Sequence, residues 1–501
     1  MHFFSTLLLA SLSLAAAVPT ARPRQGPAPA PGQGSSIISS QFGRHNWDSD
    51  TVLSIPGTAT FNNATSRWNL FRAPSYGAAL SIGSEEDLVE TVQMATAANI
   101  SFLATGGRHG YGGTLGAMHG GLALDLSALD ELIIDAEAET LTVGPGIRFN
   151  DMFDAVYEAG FQVPTGTCGC VGMIGATLGA GIGRIQGTHG LMLDALLSVR
   201  LVTATGQILT VSSDSHPDLF WAIRGAGQNF GIVTAATYQL SPRTEVFTSI
   251  DLIFPAAANE SFFNALAEFE YAPEWAIAVQ IFFDSDINET SLLTTAVYQG
   301  PESEAVDLLS PILNLGPSVR NVTETTWNRV GNIAAFGSGA TLCEPGNELD
   351  IHAVNLRHQD AETWMSVFEM MAQFYEDVPE ARSSAINIEA WSNQAVLAVP
   401  DDETAYPWRD AQVYVMAQMA WTPGNSHAQA QASAMGHEIR STLAAASGYG
   451  DLAVYVNYAR GDETLEQRYG ERKLPRLADV KRMYDPTNVF RFHHALPIVY
   501  P

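Results

Sequence analysis

A chain of 501 residues is too long for one simple core and divides into two or more domains. Hydrophobic residues make up 46% and are spread along its length, a globular composition rather than a disordered one. A net charge of -28 repels phosphates and anionic bilayers, which argues against a nucleic-acid partner and against adsorption to an anionic membrane.

The N-terminus, MHFFSTLLLASLSLAAAVPTARP, carries an apolar run from Phe3 to Ala17. The run ends in Ala15-Ala16-Ala17, an A-x-A cleavage pattern, and is too short to span a bilayer comfortably. A secretory signal over residues 1–17 is expected, although no Lys or Arg precedes the run. With it goes a secreted protein that keeps no membrane segment once the signal is removed. Residues 18–40, rich in Pro, Gly, Ala and Ser, read as a linker or propeptide. Export also suits the five N-x-S/T sequons, at Asn63, Asn99, Asn259, Asn288 and Asn321.

From Ser84 a helix is signalled, with Ser84 and Asp87 at capping-box spacing and Leu88, Val92 and Ala95 on one face. ISFLAT follows as a short buried strand, then a glycine loop, then the strands GLALDL and ETLTVGPG. NDMFDAVYEAG predicts a helix capped by Asn150 and stopped by Gly160. LLSVRLVTATGQILTV predicts two strands about a Thr-Gly turn, HPDLFWAIRGAG a helix opened by Pro217, and NFGIVTAATYQL another strand. Residues 71–242 thus form one α+β unit. Residues 243–450 alternate strand-like runs, such as WAIAVQIFF and DAQVYVMAQMAW, with amphipathic helices such as AETWMSVFEMMAQFYED. That alternation predicts an antiparallel sheet covered by helices. The tail offers a strand at YVNY and a helix opened by Pro475, striped by Leu477, Val480 and Tyr484, and ended by Pro486.

Two glycine clusters interrupt this order: ATGGRHGYGGTLG at 104–116 and GTCGCVGMIGATLGAGIGRIQG at 166–187. Bare backbone amides can hold a pyrophosphate, so a long cofactor lying along both loops is one reading; tight packing is the other. No G-x-G-x-x-G and no Walker sequence occurs. The three cysteines, Cys168, Cys170 and Cys343, leave an odd thiol, and C-x-C is too few ligands at the wrong spacing for zinc, so no metal is expected.

GGRHGYGG, the 166–187 cluster, HPDLFWAIRGAGQNFGIVT and YVNY…RLADVKRMYDPTNVF, in that order and spacing, resemble the berberine bridge enzyme-like flavoproteins of the vanillyl-alcohol oxidase / p-cresol methylhydroxylase superfamily. The fungal secreted oxidases of secondary metabolism are the nearest in character. The resemblance implies an α+β fold: a two-subdomain FAD-binding module of the p-cresol methylhydroxylase type over 41–242, a substrate domain over 243–450, and a segment over 451–498 completing the FAD domain. His109 stands where the family bonds the flavin 8α-methyl, and Cys168 where it makes a thioether to flavin C6. Cys170 is an alternative linker; if Cys168 is the linker, Cys170 and Cys343 are left to pair. Further cofactor contacts are expected from Gly106, Gly107, Gly110, Gly172, Gly179, Gly181, Gly183, Ile232 and Val233. Arg108 departs from the pattern, replacing a usual third glycine. Val171 matches the position that gates oxygen, where a small residue accompanies oxidase behaviour.

For catalysis the resemblance points to Tyr458, with Tyr455 as the fallback, as the base facing the flavin; such a base needs its pKa lowered. Asn457 is expected to be structural. Tyr406, Trp408 and Arg409 offer a pocket lining but equally ordinary packing. The reading implied is a secreted FAD-linked oxidase. It passes hydride from a secondary-metabolite intermediate or a sugar to covalently held FAD, with oxygen as acceptor and hydrogen peroxide as product. A non-oxidative cyclase or binding protein on the same fold is the alternative.

Overall fold

The computed structural model describes residues 33–48 and 50–500. The expected signal, 1–17, lies outside the described residues, as does the expected linker up to residue 32.

The first long helix starts where one hydroxyl stops the preceding chain. Ser84 Oγ accepts from the Asp87 backbone N–H, and the helix runs Glu85–Ala97 with Leu88, Val92 and Ala95 buried. The Asp87 carboxylate accepts from Asp48 N rather than from Ser84, so only half of a reciprocal box forms. This helix packs on a first sheet of β1 (Val52–Ser54), β2 (Tyr76–Ser81), β3 (Phe102–Thr105) and β4 (Gly121–Asp125), in the order β1-β2-β4-β3. β2 and β3 both run parallel to β4; the helix Glu85–Ala97 crosses over from β2 to β3, and the first glycine loop crosses from β3 to β4.

A second, antiparallel sheet takes β5 (Leu132–Asp135), β6 (Thr140–Val143), β8 (Leu196–Val202), β9 (Ile208–Ser212) and β10 (Ile232–Gln239) in the order β5-β6-β10-β8-β9, while β7 (Phe161–Gln162) and β11 (Ser241–Pro242) pair apart from it. The helix Pro217–Ala226 begins on its proline, as the sequence implies. The tail helix Leu474–Tyr484 shares the core of this second sheet through Leu474, Leu477 and Val480.

The third sheet is antiparallel throughout: β12 (Phe247–Pro255), β13 (Trp275–Asp284), β14 (Glu289–Tyr298), β15 (Val319–Thr325), β16 (Asp350–Leu356), β17 (Ala385–Trp391) and β18 (Val413–Met419), in the order β15-β12-β14-β13-β17-β18-β16. Strand alternation gives its two faces opposite characters. Ile277, Val279 and Ile281 of β13, with Ile386 and Ile388 of β17, enter a core covered by the helices Asn259–Glu268, Ala361–Asp377 and Ser426–Ala445. The intervening Gln280, Asn387, Glu389, Met416 and Gln418 face the other way, toward the glycine loops, and all but Glu389 are half-buried.

Three sequence expectations need correction. Residues 33–42 are not linker: they form a helix whose Ile38 and Phe42 are buried against the first sheet. Asn150 is not the cap of its helix, which runs Phe149–Glu158 from Arg148; the Asp151 carboxylate takes the Arg148 N–H, and the Asn150 side chain packs instead over Gly169. YVNY is not a strand but a tight turn, Val456–Tyr458, closed by Tyr458 N donating to Tyr455 O. Among the described residues no helix is long and apolar enough to cross a membrane.

Candidate active site

The two glycine clusters meet back to back. A Cβ on Gly107 would stand 2.4 Å from Gly172 N, and one on Gly172 would stand 2.9 Å from Gly107 N. Gly106 is pressed as closely on Pro145 O, at 2.0 Å, so these glycines are needed for backbone-to-backbone contact. Arg108 adopts the left-handed conformation, φ 58°, that a glycine would take without strain. Its guanidinium holds the turn by donating to Asn63 O and lying 3.9 Å from Asp125.

This turn aims His109 into a largely apolar cavity of about 330 Å³. The His109 ring stacks on Trp68 at 4.9 Å. Burial, with the charges of Arg148 and Arg67 behind it, lowers its pKa to about 4. It is therefore neutral at pH 7 and keeps a lone pair for bonding. The cavity wall takes in Gly106, Gly107, Arg108, Gly110, Cys168, Val171, Gly172, Gly181, Ile232 and Val233 of the expected cofactor contacts. Gly179 and Gly183 are not part of it, a correction with a packing reason: a Cβ there would strike the Asn457 side chain at 2.1 Å and Thr165 O at 1.8 Å. The open floor is at Gly110 and Gly175. A Cβ on Gly110 meets its nearest atom, His493 Nε2, only at 3.6 Å, and one on Gly175 meets nothing within 4 Å.

Sequence reasoning missed His493. Burial, then Arg67 and Arg468, push its pKa down to about 4, and its buried Nδ1 has no partner among the described residues. An orphaned imidazole nitrogen and a bare backbone floor, in one cavity, fit a large ligand with polar edges. The signal was faint, since a histidine nine residues after the helix Leu474–Tyr484 carries no pattern of its own.

Cys170 is bonded to Cys343, which ends the segment Ala335–Cys343, and Cys168 is the free cysteine. The same segment is held by Trp68 Nε1, which donates to Leu342 O at 2.8 Å. Cys168 Sγ lies 3.2 Å from Cys170 Sγ, which in turn lies 3.4 Å from His109 Nε2. With Cys170 in a disulfide, His109 and Cys168 are two ligands where zinc takes four. Burial raises the Cys168 pKa.

Tyr458, part of the cavity wall, donates from its hydroxyl to Glu389 Oε2 at 2.9 Å, joining the tail to β17. Burial pushes Glu389 up to about 7, against the opposing pull of Tyr458 and Arg184. Tyr458 is itself driven well above the usual phenol value by burial and by Glu389, the reverse of the expected lowering. Tyr455 lines the cavity too, but its oxygen accepts from Gly181 N at 3.0 Å and from Asn457 Nδ2 at 2.7 Å. Asn457 also donates to Ala176 O, a structural position as expected. Tyr406 is fully buried against Tyr455, and Arg409 pairs with Asp194 at 2.7 Å, so this run packs rather than lining the cavity; Trp408 and Arg409 border a separate groove.

A mostly parallel sheet, an antiparallel sheet and a returning tail enclose a glycine-walled cavity, and a third sheet reaches it through the Tyr458–Glu389 bond: this is the build of a two-part dinucleotide flavoprotein. Residues 77–212 match the FAD binding domain family, and residues 454–497 match the berberine and berberine-like family. The chain is 50% identical over 455 residues to FAD-linked oxidoreductase OXR1 of Pyricularia oryzae, covering 90% of each protein. It is 47% identical over 452 residues to FAD-linked oxidoreductase srdI of Neurospora crassa, again covering 90% of each. Its fold is similar to that of glucooligosaccharide oxidase from Acremonium strictum, with a TM-score of 0.76, 23% identity, and coverage of 90% of this chain and 98% of that one. The chain belongs to the berberine bridge enzyme-like FAD-linked oxidoreductases.

Proposed function

We propose that this protein is a secreted oxidase that holds FAD covalently through His109, and through Cys168 as a second bond, and oxidises a small organic substrate with oxygen as acceptor. The observation that carries this is the convergence of His109, Cys168 and Tyr458 on one cavity, with Glu389 hydrogen-bonded to Tyr458 behind it. The Acremonium strictum structure is described as carrying a 6-S-cysteinyl, 8α-N1-histidyl FAD, a bond pair that this cavity's histidine and free cysteine could form. Bound FAD supplies the hydride acceptor, and dioxygen ends the chain as hydrogen peroxide.

The protein's own residues handle the proton. Tyr458 is the base; Tyr455, its oxygen engaged by two N–H donors, holds the Gly181 turn. A phenol with a raised pKa does not ionise first. Instead, Tyr458 takes the substrate proton as its own passes to Glu389, which already accepts that hydrogen bond. The half-buried Val171 leaves a small wall where oxygen would approach.

Acid precipitation tests the cofactor bond. Yellow colour should stay in the pellet, and a peptide map should place flavin on His109. His109 is neutral and ready, whereas Cys168 is held protonated, so Cys168→Ala should keep flavin in the pellet and His109→Ala should release most of it. Free flavin from the unaltered protein would remove the roles given to both residues. Oxygen consumption on a substrate panel tests the acceptor: reduction without uptake would make the enzyme a dehydrogenase.

Secretion is supported by the signal-like N-terminus and by the Cys170–Cys343 disulfide, a bond that persists in oxidising compartments. Asn63, Asn99, Asn288 and Asn321 are exposed, whereas Asn259 is half-buried with its amide oxygen sealed. Mass spectrometry after glycan removal should find deamidation at the first four and none at Asn259.

A further inference from the structure

Resting on the oxidase reading of this cavity, we propose that Arg184 anchors an acidic group on the substrate, so that the molecules oxidised here carry a carboxylate or a comparably acidic oxygen.

Arg184 follows Gly181–Gly183 and lies within electrostatic reach of Glu389 and Asp251 on the third sheet. A guanidinium carries five N–H donors, and a buried one is normally paired. Among the described residues Arg184 makes one hydrogen bond, from Nη1 to Thr167 O at 3.4 Å, and no ion pair. The two carboxylates that act on it are already engaged. Glu389 accepts from Tyr458, and Asp251 accepts from the Thr295 hydroxyl and from the Ala335 and Phe336 N–H groups. Arg184 is half-buried, and that burial depresses its pKa. Yet none of its nitrogens is both sealed and unpartnered, unlike Nε of Arg224 and of Arg409. Its acceptor Thr167 and its neighbour Cys168 both line the cavity, so the free N–H groups of Arg184 lie beside that space.

Glu389 and Asp251 both attract this cation, but burial raises both, Glu389 to about 7, so they offset its charge only in part. The chain's net charge of -28 opposes an anion at long range, but salt screens that field within about 8 Å, and the local guanidinium decides inside the cavity. Its flat fork suits a carboxylate bidentately. On the same face of β17 as Glu389, Asn387 accepts from Gln280 at 2.8 Å, leaving amide groups on this half-buried sheet face to meet the rest of the molecule.

Calorimetric titration of the purified flavoprotein with benzoate and its neutral isostere benzamide tests the assignment, with flavin content and reducibility read by absorbance on the same samples. Benzoate should bind at least tenfold tighter than benzamide. Arg184→Gln should bring the two within twofold, and Arg184→Lys should keep an intermediate preference, charge without the fork. Equal preference in the original protein and in Arg184→Gln, or no preference in the original, overturns the proposal even where flavin is present and reduced by substrate. A protein without reducible flavin would instead defeat the oxidase reading by its absorbance, while the heats still report on Arg184.

Discussion

Replacing Tyr458 with Phe should lower kcat by about 10²–10⁴, the usual contribution of a positioned acid–base group, while the flavin stays bound. The ring and its contacts with Tyr455 and Tyr111 survive, so only the hydroxyl that bridges substrate and Glu389 is lost. A ligand-binding role with no oxidation would leave substrate affinity and every other readout unmoved. Glu389→Gln probes the other half of the pair. An amide oxygen can accept the Tyr458 hydrogen bond but cannot take its proton. In the unaltered enzyme kcat/KM should rise with pH through about 7, where Glu389 becomes a carboxylate, and Glu389→Gln should flatten that limb.

The same residue should act on stability with the opposite sign. Glu389 titrates near 7 in the folded protein against an ordinary 4.5, so the fold binds its proton more tightly than the unfolded chain does. Its stabilising contribution is present below pH 4.5 and is lost as pH rises from 4.5 through 7, a cost on the order of 3 kcal/mol. Glu389→Gln should therefore melt higher than the unaltered protein at pH 8 and no higher near pH 4.5. A gain in Tm together with a loss of turnover is the mark of a group kept for chemistry; a loss of both would make Glu389 structural and return the base role to Tyr458 alone.

Elements whose signals are local were legible before the fold was known. Ser84 caps through its own hydroxyl, Pro217 opens its helix through its fixed φ, and the alternation of β13 sorts its side chains by face. His109 and Cys168 were legible through resemblance, and the structure sets both on one cavity. Glu389 was not, because a glutamate on an alternating strand looks like any solvent-facing residue; its meaning comes from Tyr458, 69 residues away. Arg184 and His493 were hidden for the same reason, each defined by what fails to pair with it in space. The helix at 33–42 was hidden by composition: two apolar side chains four apart, Ile38 and Phe42, anchor a stretch otherwise rich in serine and glycine. Asn150 and YVNY misled because the local pattern was right and a tertiary contact prevailed.

The glycine clusters admit two readings, backbone packing and cofactor cradle, and the structure divides them between different glycines. Gly183→Ala would set a Cβ 1.8 Å from Thr165 O, and Gly107→Ala would set one 2.4 Å from Gly172 N. Both collide with backbone, which cannot rotate away, so each should cost about 3 kcal/mol or more, the upper range for overpacking. Against a total of roughly 5–15 kcal/mol that predicts a large fall in Tm, with or without flavin. Gly175→Ala should do the reverse. Its Cβ meets nothing within 4 Å, and alanine inside the helix Met173–Gly179 is favoured over glycine by about 0.5–1 kcal/mol. The flavin-free protein should melt slightly higher, yet a methyl group in the cavity floor takes space from the cofactor, so the ratio of flavin to protein absorbance should fall. Full flavin content in Gly175→Ala would show that the cofactor does not lie against this floor, and the bare backbone there would have to be explained by packing after all.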